Sequence, residues 1–109
     1  MIKENESHNG NFILNQNYPN PFNSATTIEY SIRENQNVDC QHVVLSVYNV
    51  LGEKITTLVD ECQYPGDYRI IFNSAGKGIN IPLPSGVYPY KLTVGSRSES
   101  RRMILIEEN

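Results

Sequence analysis

The chain has no hydrophobic run long enough for a bilayer, no surplus of positive charge and no helical stripe. Its longest apolar run, Met103-Ile104-Leu105-Ile106, falls far short of the roughly 20 residues a spanning helix needs, so no transmembrane segment of that kind is expected. A net charge of −3 offers no electrostatic attraction to nucleic acid or to an anionic lipid surface, which argues against either as a partner. No long window repeats its apolar residues with helical spacing. Cysteine is scarce, with two in the chain.

Groups of residues that carry chemistry are equally scarce. Gly76-Lys77-Gly78 lacks the remaining residues of a phosphate loop and precedes no helical pattern, so it reads as a flexible turn. Asp39, His42 and Ser46 have the residue types of a catalytic triad, but near neighbours on one strand cannot bring three side chains to one point. Glu29, Glu53, Asp60 and Asp67 are scattered over wet positions and turns. The expectation is a non-catalytic protein without a cofactor.

What is present describes a soluble globular domain. The 109 residues are 39 % hydrophobic and 19 % charged, the balance of one folded unit with its own core. Residues 1–11 are polar and lack the apolar centre of a signal peptide; they read as a linker or the remnant of a longer chain. Residues 12–109 are taken as the domain.

Periodicity is two almost throughout, with Val, Ile, Thr and Tyr in the periodic segments and Gly, Pro, Asn and Asp between them. This predicts an all-β protein with strands over about 11–15, 26–32, 43–49, 53–59, 67–73, 86–94 and 100–106. Ile28, Tyr30 and Ile32 share one face, as do Val43, Leu45 and Val47; Tyr68, Ile70 and Phe72; and Tyr88, Tyr90, Leu92 and Val94. Short strands at this spacing indicate a sandwich or barrel of about seven antiparallel strands.

The clearest local unit is a hairpin at Asn49-Val50-Leu51-Gly52, where Gly52 supplies the left-handed residue of a three-residue loop. An unbroken ladder from that turn pairs Val47 with Ile55, Leu45 with Thr57, Val43 with Val59 and Cys40 with Cys62. The two cysteines then fall on a non-hydrogen-bonded pair with Cα atoms about 4.5 Å apart, at the short end of disulfide range. A bridge would mark an oxidising compartment. Idle reduced thiols are one alternative; a zinc site of Cys40, His42, Asp60 and Cys62 is another, although the spacing matches no paired Cys-x-x-Cys pattern.

Seven tyrosines raise the question of a stacking platform for sugars. Tyr30, Tyr68, Tyr88 and Tyr90 fall in core phase, leaving Tyr48 and Tyr64 for that role. A surface adhesion or carbohydrate-binding module using them, or the loop over 73–85, is therefore the rival functional reading.

The segment Leu14-Asn15-Gln16-Asn17-Tyr18-Pro19-Asn20-Pro21-Phe22 carries two prolines two apart, which forbid helix or central strand and restrict each preceding residue to extended geometry. Tyr18 and Phe22 are expected to cover one end of the sandwich. Together with Asn23, Thr26-Thr27-Ile28, Val47-Tyr48-Asn49-x-Leu51-Gly52, Thr57-Leu58-Val59, Gly66-x-Tyr68, Ser85-Gly86-Val87-Tyr88-x-Tyr90-x-Leu92 and Met103, this segment resembles the type A C-terminal sorting domain of the type IX (Por) secretion system. The motif residues are Asn17, Tyr18, Pro19, Asn20, Pro21, Phe22, Gly52, Gly86 and Tyr88.

The resemblance implies an immunoglobulin-like β-sandwich, similar to that of flagellar hook-capping proteins, at the end of a larger cargo. It implies that an outer-membrane translocon reads the domain after the cargo has reached the periplasm. A sortase-like peptidase then cuts in the preceding linker, and the cargo is secreted or held on the cell surface. Arg101 and Arg102 are the expected recognition residues, on a strand able to join a partner's sheet edge. The chain departs from the family pattern at Ser24, where proline is usual, and at Pro89, where an aromatic is usual. Lacking an N–H, Pro89 predicts an edge strand or a bulge. Acidic Glu107-Glu108-Asn109 replaces a basic end.

Overall fold

The computed structural model describes residues 12–33, 40–76, 79 and 82–106. The polar segment over 1–11, Asp39, Lys77 and Gly78 of the Gly-Lys-Gly turn, and the acidic 107–109 lie outside the described residues.

Seven strands form: β1 (Phe12–Leu14), β2 (Ala25–Ile32), β3 (Gln41–Tyr48), β4 (Lys54–Gln63), β5 (Gly66–Asn73), β6 (Gly86–Val94) and β7 (Arg97–Leu105). They pair antiparallel into two sheets, ordered β1-β2-β5 and β4-β3-β6-β7. The chain changes sheet after β2, β4 and β5, which is the architecture of an immunoglobulin-like sandwich. Alternation along each strand decides which side chains enter the space between the sheets. Ile28, Tyr30, Val43, Leu45, Val47, Phe72, Tyr90, Leu92, Met103 and Leu105 are buried there, as period-two burial requires. Tyr30 stacks on Tyr68 with ring centroids 5.3 Å apart.

The β3–β4 turn forms as expected, with Gly52 at φ 86° and its N–H donating to Asn49 O at 3.0 Å. The unbroken ladder does not. Register shifts between Leu45 and Ser46 and between Val47 and Tyr48 displace the pairing, so that Val47 faces Thr56, Leu45 faces Val59 and Val43 faces Glu61. Each shift leaves one extra residue in β4, Leu58 and Ile55, as a bulge does.

Cys62 consequently faces His42 rather than Cys40. The two cysteines are joined by a disulfide with Cα atoms 5.6 Å apart, a diagonal contact, since Cys40 precedes Gln41, which itself pairs with Gln63. Neither sulfur is then a thiolate, so the four-residue zinc set is not available; His42 Nε2 and Asp60 Oδ1 lie 2.6 Å apart as a surface pair.

Pro89 lies in β6, which is an interior strand rather than an edge. β3 pairs with β6 only from Tyr90 to Val94. The Ile104 N–H and C=O bond to the lead-in loop, so alternation turns Met103 toward Tyr88, and Pro89 in turn away from β7. The missing N–H of Pro89 thus points to the β3 side, beyond Val47–Tyr90, the last pair between β3 and β6.

Candidate functional site

The proline loop and the last strand form one structure. After Leu14 the chain leaves β1, and Asn15 N–H donates to Glu29 O at 3.0 Å. Tyr90, fully buried in the core, sends its hydroxyl up to this loop, donating to Asn15 O at 2.8 Å and accepting the Asn17 N–H at 2.8 Å. Burial pushes the Tyr90 phenol up to about 12, so it remains a neutral donor and acceptor. Asn17, itself buried, donates from Nδ2 to Thr26 Oγ1 at 2.9 Å and to Pro19 O at 3.2 Å. Both Tyr18-Pro19 and Asn20-Pro21 bonds are cis.

From this anchor the loop reaches the edge of β7. Gln16 Nε2 donates to Arg102 O at 2.7 Å. Asn20 Oδ1 accepts the Ile104 N–H at 2.8 Å. Phe22 N–H donates to Ile104 O at 2.9 Å, and Ile106 N–H donates to Phe22 O at 2.8 Å. The Phe22 ring is buried edge-on against Phe72, with centroids 6.2 Å apart. Asn17, Asn20 and Phe22 therefore close the seam between the two sheets, and the loop covers the outer edge of β7 from Arg102 onward. The same edge over Arg97–Arg101 pairs with no strand among the described residues, and that half alone remains for joining a partner's sheet.

Tyr18 differs from the expectation for it. It is 48 % exposed and lies on the outer face of the β1-β2-β5 sheet, its hydroxyl donating to Glu29 Oε2 at 2.8 Å. Arg69 Nε donates to the same oxygen at 3.0 Å. The Tyr18 hydroxyl and then Arg69 hold the Glu29 carboxyl below its usual range, while the bond to Glu29 raises the Tyr18 phenol.

Arg101 and Arg102 border one groove but are held differently. Successive residues of a strand point to opposite faces, so Arg101 shares the phase of buried Met103 and Leu105. It is half-buried, and its Nε donates to Leu14 O at 2.7 Å. Arg102 points outward with Ile104. An open groove of about 540 Å³ runs along this face, lined by Gln16, Val87, Ser100, Arg101, Arg102 and Ile104. The alternation that placed Met103 in the core could have revealed the difference between the two arginines in the sequence.

The other motif residues are structural. Gly52 closes the β3–β4 turn. Gly86 opens β6, and Tyr88 is buried with its hydroxyl donating to Pro84 O at 2.6 Å. Tyr48 ends β3 at the turn, with Lys91 Nζ 5.8 Å from its ring centroid. Tyr64 is 61 % exposed beyond the far end of β4. Ten residues of strand separate them, about 33 Å at the usual rise, so they make no shared stacking platform.

The comparisons agree with this geometry. No curated protein matches the sequence. In fold the chain is similar to part of latent PorU from Porphyromonas gingivalis, whose crystal structure is dimeric, with a TM-score of 0.62 and 20 % identity over 90 % of this chain and 9 % of that one. It therefore spans a small fraction of that protein. It is also similar to the sensor domain of the anti-sigma factor RsgI4 from Pseudobacteroides cellulosolvens, with a TM-score of 0.53 and 11 % identity over 87 % of this chain and 94 % of that one. At these identities both similarities speak to fold alone. Residues 16–107 match the family described as secretion system C-terminal sorting domain. The match begins at Gln16, at the loop that closes the sandwich, and includes the whole of β7. The chain belongs to the secretion system C-terminal sorting domains, and its function is theirs, a sorting signal that directs export by type IX secretion.

Proposed function

We propose that an outer-membrane type IX translocon reads this domain on the outer face of β7, with Arg102 as the charged contact. The domain carries no catalysis of its own. It follows a larger cargo on the same polypeptide, and the segment before Phe12 is where a sortase-like peptidase cuts. The cargo passes through the periplasm and the outer membrane and ends secreted or on the cell surface. The Cys40–Cys62 disulfide suits a chain that folds in an oxidising compartment.

The observation that carries the reading is the outward Arg102, which lines an open groove beside exposed Ile104 and has no carboxylate partner among the described residues. Arg69 and Arg101, by contrast, lie beside Glu29 and Glu99. Removing residues 100–109 would delete buried Met103 and Leu105 and destroy the fold, so a point substitution tests the reading better. In a reporter fused ahead of the domain, in a bacterium with a type IX system, R102E is expected to lower secretion sharply. An outward substitution of this kind changes stability by less than about 0.5 kcal/mol. Unchanged secretion of the R102E reporter refutes the assignment.

A further inference from the structure

The tip of the β3–β4 hairpin carries two apolar side chains that its turn does not need. Gly52 supplies the left-handed residue. Asn49 supplies the cap, its Oδ1 accepting the N–H of Leu51 at 2.9 Å and of Glu53 at 3.0 Å. The positions between them accept most residues, polar ones readily. Yet they hold Val50 and Leu51, 73 % and 79 % exposed.

These two are not isolated on the surface. With Leu83, Pro84 and Val87 they line an open groove of about 310 Å³. Val87 also lines the groove that contains Ile104 and Arg102, and it sits directly opposite Ile104 in the β6–β7 pairing. The two grooves therefore join at Val87 into a strip from the hairpin tip to β7, with Val50, Leu51, Leu83, Val87 and Ile104 as its apolar side chains and arginine at the β7 end. Contiguous exposed apolar surface of this kind marks an interaction site more often than scattered single residues do.

We propose that this strip is one peptide-binding surface, taking an extended segment of a protein partner with apolar side chains at Val50 and Leu51 and a carboxylate at Arg102. Charge complementarity selects the carboxylate, because Arg102 has no acidic partner among the described residues. Shape selects a peptide over a lipid surface: the apolar pair lies at the end of the sandwich and Arg102 on its face, so a flat bilayer meets one of them while a chain follows both. The proposal rests on the β7 docking reading and extends it to the other end of the sheet.

The test is competition in the periplasm of a bacterium with a type IX system. Free copies of the whole chain are expressed beside a secreted reporter carrying the same domain. Wild-type chain is expected to lower reporter secretion; V50S/L51S and R102E chains are each expected to need about tenfold more protein for the same effect, the loss of a central contact at an interface. An unchanged urea midpoint shows that V50S/L51S still folds, and Leu51→Gln provides a second variant. If R102E loses competition while V50S/L51S and Leu51→Gln compete like wild type, the strip is refuted and the β7 reading stands; if none loses it, both fall. Sedimentation with vesicles of phosphatidylethanolamine and phosphatidylglycerol is expected to show no binding, and binding abolished by V50S/L51S would overturn the proposal in favour of lipid. A dimer in sedimentation equilibrium that V50S/L51S dissociates would overturn it in favour of a second copy.

Discussion

Replacing Tyr90 by phenylalanine removes one oxygen from the centre of the seam and nothing else. The ring still fills its place, so no cavity contributes. What remains is the Asn17 N–H, whose acceptor is gone and whose residue is 2 % exposed. A buried donor left without a partner costs about 1–3 kcal/mol. The second bond, to Asn15 O, is less costly to lose because Asn15 is exposed and its carbonyl can turn to water. The expected loss is about 2 kcal/mol, which at a urea slope of about 1 kcal/mol per M moves the midpoint down by about 2 M. The chain has no tryptophan, so unfolding is followed by far-ultraviolet circular dichroism, with amide exchange at Asn17 read separately by NMR. Tyr18→Phe, which removes an exposed hydroxyl from Glu29, is the comparison and is expected to leave the urea midpoint nearly unchanged. If Tyr90→Phe behaves like that comparison and leaves Asn17 exchange unchanged, the Tyr90 hydroxyl does not hold the loop and the account of the seam is wrong.

Opening the Cys40–Cys62 bridge, which spans a separation of 22 residues, should cost about 3 kcal/mol by the chain-entropy argument. C40S/C62S and reductant-treated wild type should then share one lowered urea midpoint, and a reductant effect persisting in the double variant would refute the assignment. At acid pH, Glu29 should matter. Its carboxyl titrates lower in the folded chain than in the unfolded one, so its contribution is present above pH about 4.3 and fades as pH falls through the folded-state value. Glu29→Gln is expected to flatten that part of the stability profile, and an unaltered profile would count against the Tyr18-Glu29-Arg69 cluster. At the alkaline end, Tyr30 and Tyr90 are both pushed up to about 12, chiefly by burial. The unfolded chain therefore loses those protons first, and stability should fall as pH rises from about 10 toward 12; a flat profile there would mean that the two hydroxyls are not buried.

Alternation and turn chemistry are local, and the residues themselves determine them. Ile28-x-Tyr30-x-Ile32 in β2 and Tyr88-x-Tyr90-x-Leu92-x-Val94 in β6 announce strands with one buried face, and the structure buries all of those residues. Asn49 and Gly52 specify their turn within four residues. Arg101 and Arg102 were legible in the same way, since neighbours of Met103 must alternate with it. Other features depend on groups that meet only when the sandwich closes. Asn17 and the Tyr90 hydroxyl are 73 positions apart, and Gln16 and the Arg102 carbonyl 86, so no local pattern records their bonds. The two bulges in β3–β4 displace the pairing by two residues at its open end, and they make the cysteines meet on a diagonal. The sequence by itself determined the seven strands, their inward faces, the hairpin turn and the family. Only the tertiary structure decided that the proline loop covers β7, that the cysteines meet on a diagonal, and that the apolar tip and the last strand share one surface. The physical reason is that side-chain direction follows from a residue's own strand, whereas its partner follows from how the two sheets pack.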